Sequence, residues 1–187
     1  MNRIAIDPGA SGGIVVQWDS GIINAYKMPE TDTDIVSLFL SIKGTLPGEA
    51  FSVTMEKVGG FIGTHDVPKQ MLCPHCRQYI TYVEKQAEPA SRMFDFGDGN
   101  GFLRACCLMA GFRYETVAPR TWQAAVGLCK PRGIVKTAWK NQLKDKAQKL
   151  YPSVKVTLST ADALLILEYS KRIVPTYKPA PKRLTRR

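Results

Sequence analysis

Apolar positions in residues 3–28 fall into three short runs of strand type. "RIAID" alternates, "GIVVQW" is apolar and β-branched, and "IINAYKM" resumes the pattern after a gap. The turn sequences "PGASG" and "DSG" separate them, so two consecutive hairpins and a three-stranded antiparallel meander are predicted. In "DTDIVSLFLSIKG" (32–44) the apolar spacing becomes helical, with Asp32 or Asp34 as a candidate N-cap and Gly44 as a stop. "FSVTME" (51–56) then predicts a fourth strand that ends on Glu56.

Residues 61–98 fit no regular period. They are polar, contain Pro68, Pro74 and Pro89, and are too long for a plain loop, so they are taken as an insertion. Beyond them the spacing predicts an apolar helix over 102–110, and the glycine-rich "FGDGNG" (96–101) is its lead-in. A fifth strand ("FRYETVAP") and a short helix ("RTWQAAVGL") follow. Next come a basic amphipathic helix over 133–150, a short strand or extended link ("VKVTL") and a last helix ("STADALLILEYSKRI"). Three antiparallel strands followed by alternating helices and strands imply an α/β domain with a mixed five-stranded sheet flanked by helices. It would run over residues 1–172, with a basic tail at 173–187 that three prolines keep extended.

Charge narrows the class of partner. The net charge is +10, but it is concentrated. Residues 130–149 hold seven basic side chains against Asp145 alone, and residues 171–187 hold seven more with no acid. These segments, at +6 and +7, leave the rest of the chain at about −3. A basic C-terminal third on a near-neutral body suits a polyanion, nucleic acid first. No apolar run reaches the length of a membrane span, and the N-terminus lacks the layout of a secretory signal, so a cytoplasmic setting with no membrane partner is expected. Five cysteines, two of them adjacent, do not suggest a disulfide framework.

Three acids interrupt apolar elements: Asp7 at the end of the first strand, Glu56 at the end of the fourth, and Asp162 in the first turn of the last helix. Strand ends and helix N-termini are where a mixed α/β sheet builds its crevice. Clustered carboxylates repel one another unless cations lie between them, and hard oxygen donors favour Mg²⁺ or Mn²⁺. Each acid also has a purely structural reading. "DPG" is a turn sequence, Glu56 can pair with Lys57 or a nearby Arg, and Asp162 can be the third residue of a capping box begun by Ser159.

"IAIDPGASGGIVV", "VTMEKVGG", "FDFGDGNGFLRACCLMAGFRYETVAPRTWQAAVGL" and "STADALLILEY", in that order, resemble the RuvC-type Holliday junction resolvases, closest to their compact phage and organellar branch. The resemblance spans residues 3 to about 56 and about 94 to 170. It implies an RNase H-like fold, a homodimer, and paired, metal-dependent nicks across a four-way DNA junction. It also implies catalytic and metal-binding roles for Asp7, Glu56 and Asp162, with two Mg²⁺ or Mn²⁺ ions per site. The family's fourth acid or His falls here on Ser159 or Leu158, so Ser159 is the candidate for that position.

Lys136, Lys140 and Lys144 are expected to face the scissile strand, with Arg172, Lys182 and Arg183 contacting DNA further out. Phe61, just past a glycine pair, matches the aromatic that the family places after the Glu, where it can wedge into the junction. "CPHC" (Cys73, His75, Cys76) resembles half a zinc ribbon; only His65 lies nearby in sequence to add to it, and a dimer would offer another completion. Cys106, Cys107, Trp122 and Trp139 are expected in the core. Branched-DNA nucleases of other specificity, a junction-binding protein without catalysis, and an actin-like kinase, for which this chain is too short, are the alternatives.

Overall fold

A computed structural model describes residues 1–59, 64–87 and 89–173. The elements in chain order are β1 (Asn2–Asp7), β2 (Gly13–Gln17), β3 (Ile23–Lys27), α1 (Asp32–Lys43), β4 (Phe51–Glu56), β5 (Thr64–Leu72), β6 (Tyr79–Ala87), α2 (Ala90–Met109), β7 (Arg113–Val117), α3 (Pro119–Ala125), α4 (Lys136–Leu150) and α5 (Leu158–Arg172).

The five expected strands form one sheet in the order β3-β2-β1-β4-β7. β1, β2 and β3 are antiparallel neighbours, while β4 runs parallel to β1 and β7 parallel to β4. Strand period decides what each face buries. Ile4, Ile6, Val53 and Met55 face α1 and α2 and pack with Phe39, Leu103 and Cys107. Ala5, Val15 and Val117 face the other way, against Trp122 of α3, Trp139 and Leu143 of α4, and Leu164–Leu167 of α5. Both tryptophans and the Cys106-Cys107 pair are therefore buried, as the sequence suggested.

Several boundaries differ from expectation. The N-cap of α1 is Thr31, whose hydroxyl accepts from the Asp34 N–H at 3.1 Å; Asp32 and Asp34 lie inside the first turn. α4 begins at Lys136, three residues late, and "VKVTL" forms no strand: a bend at Val154 leads through an unpaired link at 155–157 into α5 at Leu158. α2 begins at Ala90 and takes in "FGDGNG" as helix. Leu103, Cys106 and Cys107 anchor its C-terminal half in the core. Extending a formed helix through an exposed glycine costs only about 1 kcal/mol per residue, far less than nucleating a new one.

The insertion is also more regular than its composition implied. β5 and β6 form an antiparallel hairpin, paired from Thr64↔Ala87 to Leu72↔Tyr79. Its proline, Pro68, is no obstacle, because every hairpin strand is an edge.

Candidate active site

Register brings the first two acids together. Ile6 pairs with Met55 across the parallel β1–β4 ladder, so Asp7 and Glu56, each one residue further on, end adjacent strands side by side. Both share the parity of Ala5 and Thr54, partners in the same ladder. Both side chains therefore leave the sheet on the face covered by α3, α4 and α5.

Helix α5 brings the third. Its N-cap is Thr157, whose hydroxyl accepts from the Thr160 N–H at 3.2 Å while Thr160 Oγ1 accepts from the Thr157 N–H at 3.0 Å. The capping box therefore lies two residues before the one expected at Ser159, and Asp162 takes no part in it. That leaves the buried Asp162 carboxylate to face the strand ends.

Two glycines make the approach possible. A Cβ at Gly12 would fall 2.0 Å from the Asp7 carbonyl oxygen and 3.2 Å from its carboxylate carbon. A Cβ at Gly13 would fall 2.7 Å from the carbonyl oxygen of Ser159, on the first turn of α5. "GASGG" is therefore the point at which β2, the Asp7 backbone and α5 close on one another.

The electrostatics are those of carboxylates short of cations. Burial, and then Asp162 and Glu56, push the Asp7 carboxyl up to about 8, only partly opposed by Lys140. Burial also raises Glu56, against the hydrogen bond from Trp122 that favours its ionised form. Trp122 Nε1 donates to Glu56 Oε2 at 2.8 Å. Lys140 of α4 donates to Asp162 Oδ2 in a close ion pair. Burial works against the Lys140 charge, but Asp162, Asp7 and Glu56 together outweigh it and raise its pKa. The second Asp162 oxygen, Oδ1, is buried with no hydrogen-bond partner.

These residues suit a divalent ion by donor chemistry: three hard carboxylates, mutual repulsion to relieve, and one orphaned buried oxygen. Among the described residues no three such side chains already stand as a finished ligand cluster, and Lys140 supplies the positive charge at Asp162.

The acids lie between two open clefts. One, of about 980 Å³, is lined by Glu56 and Asp162 together with Arg120, Lys130, Arg132 and Lys136. The other, of about 760 Å³, is lined by Asp7, Glu56, Phe96, Asn100 and Lys136. Lys140 borders both. Lys144, one turn on from Lys140 and half-buried, lines neither cleft.

Ser159 is half-buried one turn before Asp162, and Leu158 is exposed. Arg172 lies at the far end of α5, about 15 Å along the helix from Asp162. There it pairs with Glu168 at 3.2 Å and caps the Ala125 carbonyl. Phe61, Lys182 and Arg183 fall outside the described residues. Sequence reasoning missed Arg120, and missed that Trp122 is a site residue as well as a core one. The signal for the latter is an indole N–H, which needs an acceptor wherever it is buried.

Comparison with protein-family profiles and with curated proteins gives no match. Among solved structures the chain is similar to Thermus thermophilus RuvC in complex with a Holliday junction substrate, with a TM-score of 0.52 and 14% identity over 92% of this chain and 96% of that one. A second Thermus thermophilus RuvC structure aligns over the same shares at the same identity, with a TM-score of 0.47. At that identity the likeness is one of architecture, and this chain has a RuvC-like, RNase H-like fold with Asp7, Glu56 and Asp162 gathered on one face of its sheet.

Proposed function

We propose that the chain is a metal-dependent endonuclease that resolves four-way DNA junctions. The observation that carries this reading is the convergence of Asp7, Glu56 and Asp162, from two strand ends and one helix, beside a cleft lined by Arg120, Lys130, Arg132, Lys136 and Lys140. Acids alone would repel DNA, and bases alone would only bind it. Together they can hold a phosphodiester strand over a site that hydrolyses it.

Asp7, Glu56 and Asp162 would hold Mg²⁺ or Mn²⁺, which supplies an activated water and neutralises charge on the phosphate. The chain's own groups do the rest. Trp122 fixes the Glu56 carboxylate through its N–H. Gly12 lets the Asp7 turn close. Lys140, which pairs with Asp162, would on release meet the negative charge that grows on the scissile phosphate, and Lys136, beside it in the cleft, would follow the backbone. A homodimer would present two such sites to the two equivalent strands of a junction, giving paired symmetric nicks.

The direct test is cleavage of a panel of synthetic four-way junctions, flaps, forks and RNA/DNA hybrids with Mg²⁺ or Mn²⁺. The expected result is paired nicks in the four-way junction and little turnover of the others. Preference for a flap or fork would assign a different branched-DNA nuclease. Tight junction binding without nicking in either metal would leave a binding protein.

A further inference from the structure

We propose that Cys73 and Cys76 are one half of a tetrathiolate zinc site, completed by the same two residues of a second copy of this chain. They lie at the tip of the β5–β6 hairpin, on the opposite strand ends from the segments that join it to the rest of the chain. The turn between them is a metal knuckle in form. Cys73 N–H donates to the Gln78 carbonyl at 2.8 Å, and Arg77 N–H donates back to the Cys73 carbonyl at 2.9 Å. Arg77 holds φ at 54°, the left-handed conformation that lets the chain fold back beneath its own sulfurs, and it is alone among the described non-glycine residues in doing so. The backbone N–H groups of Cys76 and His75, and the Cys76 thiol, hydrogen-bond to the Cys73 sulfur, the arrangement of N–H groups around a sulfur that a metal-binding turn requires.

Zinc needs four ligands, and one chain offers two. His75 contributes its backbone to the Cys73 sulfur, and among the described residues no three His, Cys, Asp or Glu side chains are grouped as one ion would require. The supplement that the sequence suggested, His65, is eight residues down a strand that rises about 3.3 Å per residue, so it is about 26 Å from the tip. Cys106 and Cys107 are buried in the core. A second identical tip supplies the missing two thiolates around a two-fold axis.

The hairpin itself supports this. Its substantial packing is between its own two strands, and a lone two-stranded hairpin is marginal in water. Met71 and Ile80 lie exposed on one face near the tip, Leu72 and Tyr79 on the other. A second hairpin held at the tip would cover apolar surface that is otherwise bare. A thioredoxin-like redox pair is the other use of C-x-x-C, but that motif sits at a helix N-terminus, whereas this one closes an antiparallel turn.

The test is metal content and spectroscopy on the purified full-length chain, with Cys129→Ser as background because Cys129 is the other exposed thiol. Elemental analysis should find about one zinc per two chains, and cobalt(II) replacing it should show the charge-transfer and visible bands of a tetrahedral four-sulfur site. Cys73→Ser with Cys76→Ser should abolish both while leaving the circular dichroism and melting of the chain in place. One zinc per chain, zinc retained by the double variant, no zinc bound at micromolar free metal, or a reversible Cys73–Cys76 disulfide in its place would each overturn the proposal. Asp7→Asn should keep the full zinc content, so loss of nuclease activity and loss of this site are read separately.

Discussion

The indole N–H of Trp122 donates to the carboxylate of Glu56 at 2.8 Å, which ties a side chain with no exposed surface to the rim of the carboxylate site. The bond joins the stability of the α3–sheet core to the orientation of one acid. Trp122→Phe keeps the aromatic packing but removes the donor. Groups that orient metal ligands typically change metal affinity or activity about 10- to 100-fold when lost. The expected result is a Mn²⁺ affinity and a cleavage rate lower by about ten-fold, with destabilisation of about 1–3 kcal/mol from the smaller ring. Metal titration and thermal melting of the same variant separate the two effects.

Asp7→Asn is expected to abolish junction cleavage while leaving junction affinity within about two-fold, because the basic cleft is untouched. It should also raise the melting temperature of the metal-free protein near pH 8, since it removes a charge that burial and two neighbouring carboxylates oppose. A site variant that loses activity and gains stability is the signature of electrostatic strain held for function. Gel-shift, cleavage and melting assays on one preparation check all three.

The same strain fixes a pH dependence. Asp7 has its folded-state pKa raised from 3.8 to about 8, so between those values the folded chain binds a proton that the unfolded chain has released. Its contribution to stability is therefore fully present below about pH 4 and is lost as pH rises toward 8. Lys140 shifts in the stabilising direction, but its titration lies above this window. Denaturant melts of metal-free protein from pH 5 to pH 8.5 should show falling stability that Asp7→Asn flattens and that millimolar Mg²⁺ or Mn²⁺ reverses.

Where the sequence was readable, a period or a spacing set the outcome. Alternation in "RIAID" and "FSVTME" fixed the strands, and their shared parity fixed the face on which Asp7 and Glu56 emerge. The helices beyond were legible because each buries a 3.6-residue stripe. What was not legible depended on neighbours distant in sequence. Ser159 and Thr157 are both competent caps; the earlier one is used, with Thr160 completing its capping box and the first turn of α5 lying close against Gly13. The glycines of "FGDGNG" look like a loop until the buried end of α2 is there to extend through them. Trp122 looked like core, and is core; its N–H partner, Glu56, lies 66 residues away at the end of β4.

Lys140 tests whether a side chain can stand in for a metal. Its side chain is partly exposed, and its pairing with the buried Asp162 supplies the positive charge there in the metal-free chain. Lys140→Met removes that charge and leaves Asp162 buried without a partner on either oxygen. Because the Lys140 side chain is about one-third exposed, the expected loss of metal-free stability is only about 1–2 kcal/mol, below that of a fully buried pair. Saturating Mg²⁺ should restore most of it. Metal affinity should rise, since the ion no longer competes with an internal cation, while cleavage falls because the phosphate loses its counter-charge. Rising metal affinity with falling cleavage, measured by titration and single-turnover kinetics, is the pattern a purely structural lysine would not give.

Ser159 sits one helical turn before Asp162, half-buried, where the RuvC-type resemblance leads one to expect another acid or a histidine. Its hydroxyl is a weaker metal donor than a carboxylate, so three acids must hold the charge that four would share. Ser159→Asp places a fourth carboxylate on the same face of α5, because residues three apart share a face. Its main chain stays where it is, since the close contact with Gly13 is through the Ser159 carbonyl oxygen and not its side chain. The metal-free variant should be less stable, by about 1 kcal/mol or more, because a fourth charge adds to the repulsion already felt by Asp7. With Mg²⁺ the order should reverse, and half-maximal cleavage should need several-fold less metal than the parent. Metal-dependence curves for the two proteins, run with melts in the presence and absence of Mg²⁺, read both signs. A variant equally destabilised with and without metal would place Ser159 outside the metal's reach, leaving Asp7, Glu56 and Asp162 as the whole ligand set.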